Sequence, residues 1–259
     1  MIFQITSRDP IAEIAKQLPA EYLVHANEIA HYGQDATIPE RDVSILVLRL
    51  LLRQFPHHHC VRREVNLSDQ AWGKANESPK VFCDIAIFWP WVEPNAPIEK
   101  RIAAPLEIKL ATSTFREVIV DIMRLTALSE RLQLPSYFLL IGSDKDFESL
   151  LGNQLGRVVR NAKRPTNVKR KDLLDLLSVQ GNNEAECNEE STSRKYTRYA
   201  NVVKSLNESA SFKITRVHNE IFRGIRLGIW EVVHSALQTP DRGRFSFSIS
   251  PVKGETSDK

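Results

Sequence analysis

The chain has 259 residues, 42% of them apolar and 26% charged, which is enough to bury a full core in one large domain or one and a half. Its 35 Lys and Arg against 32 Asp and Glu leave a net charge of +3, too small to diagnose a partner by itself. Cys60, Cys83 and Cys187 stand far apart, which excludes a disulfide framework or a paired-cysteine metal site and fits a reducing cytoplasm. The first residues lack a basic start followed by an apolar core, and no run approaches about 18 apolar residues, so neither a signal peptide nor a membrane span is expected.

In chain order, two short helices are predicted over 11–18 and 21–32, as an N-terminal helical extension covering 1–38. Pro39, Glu40 and Asp42 then mark a helix start, because a fixed φ and negative charge both suit an N-terminus. Val43, Leu46, Val47, Leu50 and Leu51 follow at helical spacing, and Pro56 ends the helix. Strands are predicted over 60–67, 81–89 and 104–110, the last two separated by a Trp- and Pro-rich connection. Thr114 and Glu117 form a capping box for a helix over 114–132, followed by an apolar strand over 136–142 and a helix over 144–159. Residues 171–177 read as the end of a further helix and 178–196 as a polar linker. The C-terminal part, 197–259, carries strands over 212–217, 227–233 and 245–249 and a loose tail. These three strands form a small antiparallel addition or extend the main sheet.

Two of these strands carry charge where a buried strand tolerates none. Asp84 lies among Phe82, Ile85, Ala86 and Ile87, and Glu107 and Lys109 alternate with Leu106, Ile108 and Leu110. Residues two apart on a strand share a face, so Glu107 and Lys109 project together. Charges in such surroundings cost several kcal/mol unless paired or bound to a metal.

A helix, three strands with Asp in the second and Glu-x-Lys in the third, then a helix and a strand, resembles the PD-(D/E)xK nuclease superfamily over 39–153. The resemblance implies a restriction-endonuclease-like α/β fold, a mixed sheet flanked by helices, over a core of 39–177. It implies Asp84 and Glu107 as ligands of Mg²⁺, with Mn²⁺ as a substitute, and Lys109 as the group that positions the attacking water and stabilises transition-state charge. Glu40, near the start of the first core helix, is the matching extra acidic residue, with Asp42 as second choice. Glu64 in the first strand is a further candidate ligand. Cys83 stands where the motif has proline, and the long segment between Asp84 and Glu107 departs from a simple hairpin.

The residues fit the implied chemistry. Hard oxygen ligands hold Mg²⁺ while leaving positions for water and phosphate, and a fixed cation beside the reacting group is a large electrostatic term. Residues 157–171 carry only cations among their charged groups; Lys163, Arg164, Lys169, Arg170 and Lys171 are the candidate nucleic-acid contacts, against the reading of an exposed helix end. Asp121 and Arg124 could reach the active-site edge or a phosphate but read first as the polar side of their helix; His57 to His59 read as a loop, Trp89 and Trp91 as buried rather than base-stacking, and Trp230 as core. The expected partner is nucleic acid, DNA before RNA, with a homodimer or a recruiting subunit also open. The competing readings are a catalytically silent nuclease-like binding module and a structural subunit with internal ion pairs.

Overall fold

The computed structural model describes residues 9–31, 38–55, 60–68, 82–89, 92–152, 159, 165–173, 175 and 210–237. The first helix, α1 (Pro10–His31), runs unbroken through Pro19, where the sequence suggests two helices. An interior proline costs a helix about 3 kcal/mol. Burial of Ile11, Ile14 and Leu18 on one side of α1 returns more than that, at roughly 1.5–3 kcal/mol for each large apolar side chain. Helix α2 (Glu40–Leu52) starts after Pro39, and the predicted stripe of Val43, Leu46, Val47, Leu50 and Leu51 is buried.

Seven strands follow: β1 (Val61–Asn66), β2 (Phe82–Phe88), β3 (Ile102–Leu110), β4 (Ser136–Ser143), β5 (Thr166–Lys169), β6 (Ser211–Phe222) and β7 (Ile225–His234). A short turn of helix, α3 (Ile98–Arg101), leads into β3; α4 (Phe115–Leu132) joins β3 to β4, and α5 (Asp144–Gly152) follows β4. They make one mixed sheet in the order β1-β2-β3-β4-β7-β6-β5. Strands β1, β2 and β3 are antiparallel neighbours, β3 and β4 are parallel, and β4–β7, β7–β6 and β6–β5 are antiparallel. Crossing from one parallel strand to the next needs a long connection, and α4 supplies it.

The sheet is covered on both faces. Ile85, Ile87, Leu106, Ile108, Leu139, Ile141, Leu227 and Ile229 pack with α1 and α2. Phe138, Leu140, Trp230, Val232 and Phe212 pack on the opposite side with Val118, Ile122, Leu125 and Leu128 of α4 and Phe147 of α5. Trp230 is core, as expected, with ring centroids 5.9 Å from Phe138 and 6.1 Å from Phe147. Gly228 lies under that ring: a Cβ there would stand 2.4 Å from Trp230 Cη2 and 2.8 Å from Phe147 Cζ. Gly228→Ala is therefore expected to cost about 1–3 kcal/mol by overpacking; an unchanged midpoint in denaturant unfolding would refute it.

The capping box forms: the Glu117 N–H donates to Thr114 Oγ1 (3.3 Å) and the Thr114 N–H donates to Glu117 Oε2 (2.9 Å). Thr114→Ala should lower stability by about 1 kcal/mol, read as a fall in melting temperature. Two expectations need adjustment. The strands over 212–217 and 227–233 are longer and extend the main sheet, because the apolar β4 needs a partner on its free edge. Residues 166–169, read as part of a basic run, form edge strand β5, drawn in by Val168, which is buried opposite Phe212. The helix from Asp144 is present to Gly152; residues 153–158 of its predicted length lie outside the described residues. The predicted strand at 245–249 and the linker 178–196 lie outside the described residues, and among the described residues no helix is long and apolar enough to cross a membrane.

Candidate active site

Strands β2 and β3 pair through Ile87–Ala104, Ala86–Pro105 and Ile85–Leu106. Beyond that pair, side chains bridge the two strands. Cys83 Sγ accepts from the Leu106 N–H (3.2 Å) and donates to the Ile85 carbonyl (2.7 Å). Asp84 Oδ2 accepts from the Ile108 N–H at 2.7 Å. A buried backbone donor must find an acceptor, and here a carboxylate supplies it, which fixes Asp84 against β3. Burial pushes the Cys83 thiol well above its ordinary range, with the Glu107 and Asp84 charges adding to it, so Cys83 is a neutral structural group.

Glu107, in the middle of β3, is 2% exposed. Burial raises its carboxyl well above the carboxylate range, followed by the negative charges of Asp121 and Asp84, while Arg124 works in the other direction. Asp84 and Glu107 meet across the strands in a side-chain hydrogen bond that favours the protonated Glu107. Glu107 Oε1 is buried and has no hydrogen-bond partner among the described residues.

Lys109 occupies the next position on that face. Its Nζ lies 2.7 Å from Glu40 Oε1, in the first turn of α2, and 3.1 Å from Asp121 Oδ2, on α4. Asp121 is itself 2% exposed, and its Oδ1 accepts from Arg124 Nη1 at 2.8 Å. Burial works to lower the Lys109 ammonium, but the charge of Asp121, the hydrogen bond and charge of Glu40 and the charge of Asp84 together outweigh it, and the group is held above its ordinary value. Lys109 is thus a fixed cation. It can stabilise negative charge and cannot act as a base near neutral pH.

Glu40 joins the cluster by binding Lys109. Burial raises its carboxyl and Lys109 pulls it back. Asp42, the second choice, turns instead to His25 at 3.6 Å. Glu64 is not brought to the site: it has a left-handed backbone (φ 51°), its side chain is 69% exposed, and it pairs with Arg63 at 3.3 Å. The register with β2 runs unbroken from Arg63–Ile85 to Val65–Cys83, so Glu64 stands opposite Asp84, but its left-handed backbone turns the side chain out of the strand alternation. Lys163 and Arg164 lie outside the described residues, as do His57 to His59 and Trp91. Lys169 and Lys171 are exposed and Arg170 half-buried around β5. With β4, β7 and β6 between β5 and β3, that group sits about 19 Å from the site strand, at roughly 4.8 Å per strand. Trp89 is half-buried against the α1/α2 side of the core.

Asp121 and Arg124 do not form a solvated polar side of their helix, and the alternative reading, at the edge of the site, fits their position. They face the strand carboxylates and Lys109 rather than solvent. A signal existed: Asp121 stands three after Val118 and four before Leu125, inside the buried stripe of α4.

Among the described residues no three His, Cys, Asp or Glu side chains are grouped to hold a metal. The donor set is two carboxylates, Asp84 and Glu107. That set fits Mg²⁺ or Mn²⁺, because Mg²⁺ characteristically keeps several waters and uses one or two carboxylates. The unpartnered Oε1 of Glu107 is the oxygen such an ion would satisfy.

The raised Glu107 carboxyl has a consequence for metal-free stability. The folded chain holds a proton that the unfolded chain, titrating near 4.5, has released. The stabilising contribution is complete below that unfolded value and is lost as pH rises through the folded one. As pH rises above the unfolded value of about 4.5, metal-free melting temperatures of wild type should therefore fall relative to Glu107→Gln; parallel curves would contradict it.

Comparison of the chain with protein-family models, with curated proteins and with solved structures gave no match. The functional reading rests on the residues and their geometry.

Proposed function

We propose that the chain is a divalent-metal-dependent nuclease of the PD-(D/E)xK type that hydrolyses phosphodiester bonds in DNA. The observation that carries this is the meeting of Asp84 and Glu107, with a buried unpartnered Glu107 oxygen and a lysine held positive two residues along β3. The order α2-β1-β2-β3-α4-β4, with β1, β2 and β3 antiparallel and β4 parallel to β3, supports a restriction-endonuclease-like core, to which β7, β6 and β5 are added.

Asp84 and Glu107 would hold Mg²⁺ or Mn²⁺, which when bound supplies Lewis acidity and lowers the pKa of water. The chain's own residues do the rest. The Ile108 N–H orients Asp84. Glu40 and Asp121 fix the Lys109 ammonium, which stabilises charge developing on the phosphate without first having to reorganise. Cys83 ties β2 to β3 at the level of the carboxylates.

Plasmid cleavage with Mg²⁺ or Mn²⁺ tests the reading, comparing wild type with Asp84→Ala and Lys109→Ala. The wild type should cut, Asp84→Ala should fail and Lys109→Ala should cut far more slowly; wild-type rates in both variants remove the site assignment. A second reading, a silent nuclease-like module that binds nucleic acid, draws on the engagement of Lys109 by two carboxylates. It requires salt-sensitive DNA binding with no cleavage under either metal.

A further inference from the structure

On the α4 side of the sheet, the ring of Phe88 is 3% exposed. Two guanidiniums converge on it: Arg62 of β1 with its Cζ 5.7 Å from the ring centroid, and Arg101 of α3 at 5.0 Å. Arg101 Nη1 also donates to the Pro94 carbonyl. Among the described residues neither arginine has a carboxylate partner, although Arg63 and Arg124 nearby in sequence or space are both paired. Two like charges on one ring repel, and attraction to the ring face offsets this only in part. A guanidinium over a ring keeps N–H donors suited to a phosphate; in Arg101 the Nε is buried, so these are its terminal Nη groups. Two guanidiniums converging on one ring make a site suited to an anion.

Its place relative to the carboxylates gives that anion an identity. Phe88 is four residues from Asp84 on β2, about 13 Å at roughly 3.3 Å per residue. Phosphates on one strand of a duplex advance about 3.4 Å along the axis per step, so the arginines stand roughly four steps from the carboxylates. Arg101 immediately precedes β3, the strand that carries Glu107 and Lys109. We propose that Arg62 and Arg101, which converge on the ring of Phe88, contact the phosphate backbone of duplex DNA beside the Asp84–Glu107 site and set the direction in which it lies. This rests on the nuclease reading for its substrate, and assigns the backbone contact to the β1–β2 side of the sheet rather than to the basic residues around β5.

The test is binding of a fluorescent DNA duplex to the full chain without divalent metal, measured by polarisation over a range of salt, alongside plasmid cleavage with Mg²⁺. Each phosphate contact contributes about 0.9 to the slope of log affinity against log salt. The Arg62→Gln/Arg101→Gln double variant should lose about 1.8 of that slope. The Arg62→Lys/Arg101→Lys variant, which keeps both charges, should retain it and serves as the control for folding. An unchanged slope in the glutamine variant with wild-type cleavage intact overturns the contact and leaves the nuclease standing. A lost slope in a chain that never cleaves supports the contact and removes the nuclease. A wild type that does not bind the duplex overturns both.

Discussion

Lys109→Ala is expected to lower Mg²⁺-dependent cleavage by about 10²–10³-fold, the usual cost of deleting one preorganised electrostatic group from an active site. The reason lies in how the ammonium is held. Its Nζ has Glu40 at 2.7 Å and Asp121 at 3.1 Å, so it cannot swing away, and those anions keep it charged against the pull of burial. Because the group does not titrate near neutral pH, the pH profile of the residual activity should keep the wild-type shape. Lys109→Arg should recover part of the loss, limited by the wider guanidinium. Initial rates of supercoiled plasmid nicking decide the matter: an alanine variant within a factor of a few of wild type would show that the ammonium serves only the ion pairs.

Asp121→Ala is expected to be strongly destabilising, costing on the order of 3 kcal/mol. Breaking a buried ion pair by removing one partner costs about 3–5 kcal/mol, because the remaining charge is left uncompensated. The lower end applies here, since Lys109 is 15% and Arg124 18% exposed, so both retain some water, and Lys109 keeps Glu40. For a chain of this size the melting temperature should fall by about 6–12 °C, at roughly 2–4 °C per kcal/mol. Asp121→Asn, which preserves shape and one hydrogen-bond acceptor, should fall less. Calorimetry or chemical denaturation measures both, and an alanine variant as stable as wild type would show that Asp121 does not compensate the two cations.

Much of the frame was legible in the residues. The stripe from Val43 to Leu51 and the Thr114–Glu117 capping box mark α2 and α4 because helix periodicity and capping are local properties. Asp84, Glu107 and Lys109 stood out because charge in an apolar strand is costly wherever that strand lies. Pro19 misled, since its cost is local and the burial that outweighs it is not. Strand β5 was hidden for the same reason: only Val168 in its four residues is buried, and its strand character comes from pairing with β6.

The sequence by itself determined which side chains would be expensive to bury and where most of the helices and central strands lie, because both follow from residue type and spacing. Only the tertiary structure decided what those charges meet. It tied Lys109 to Glu40, 69 residues away, and aimed Asp121 inward. It also turned Glu64 out through a left-handed residue in β1, and brought two arginines onto Phe88. Those outcomes depend on strand register and on the approach of α2 and α4 to the sheet, which are set by the packing of the whole core and by no local pattern.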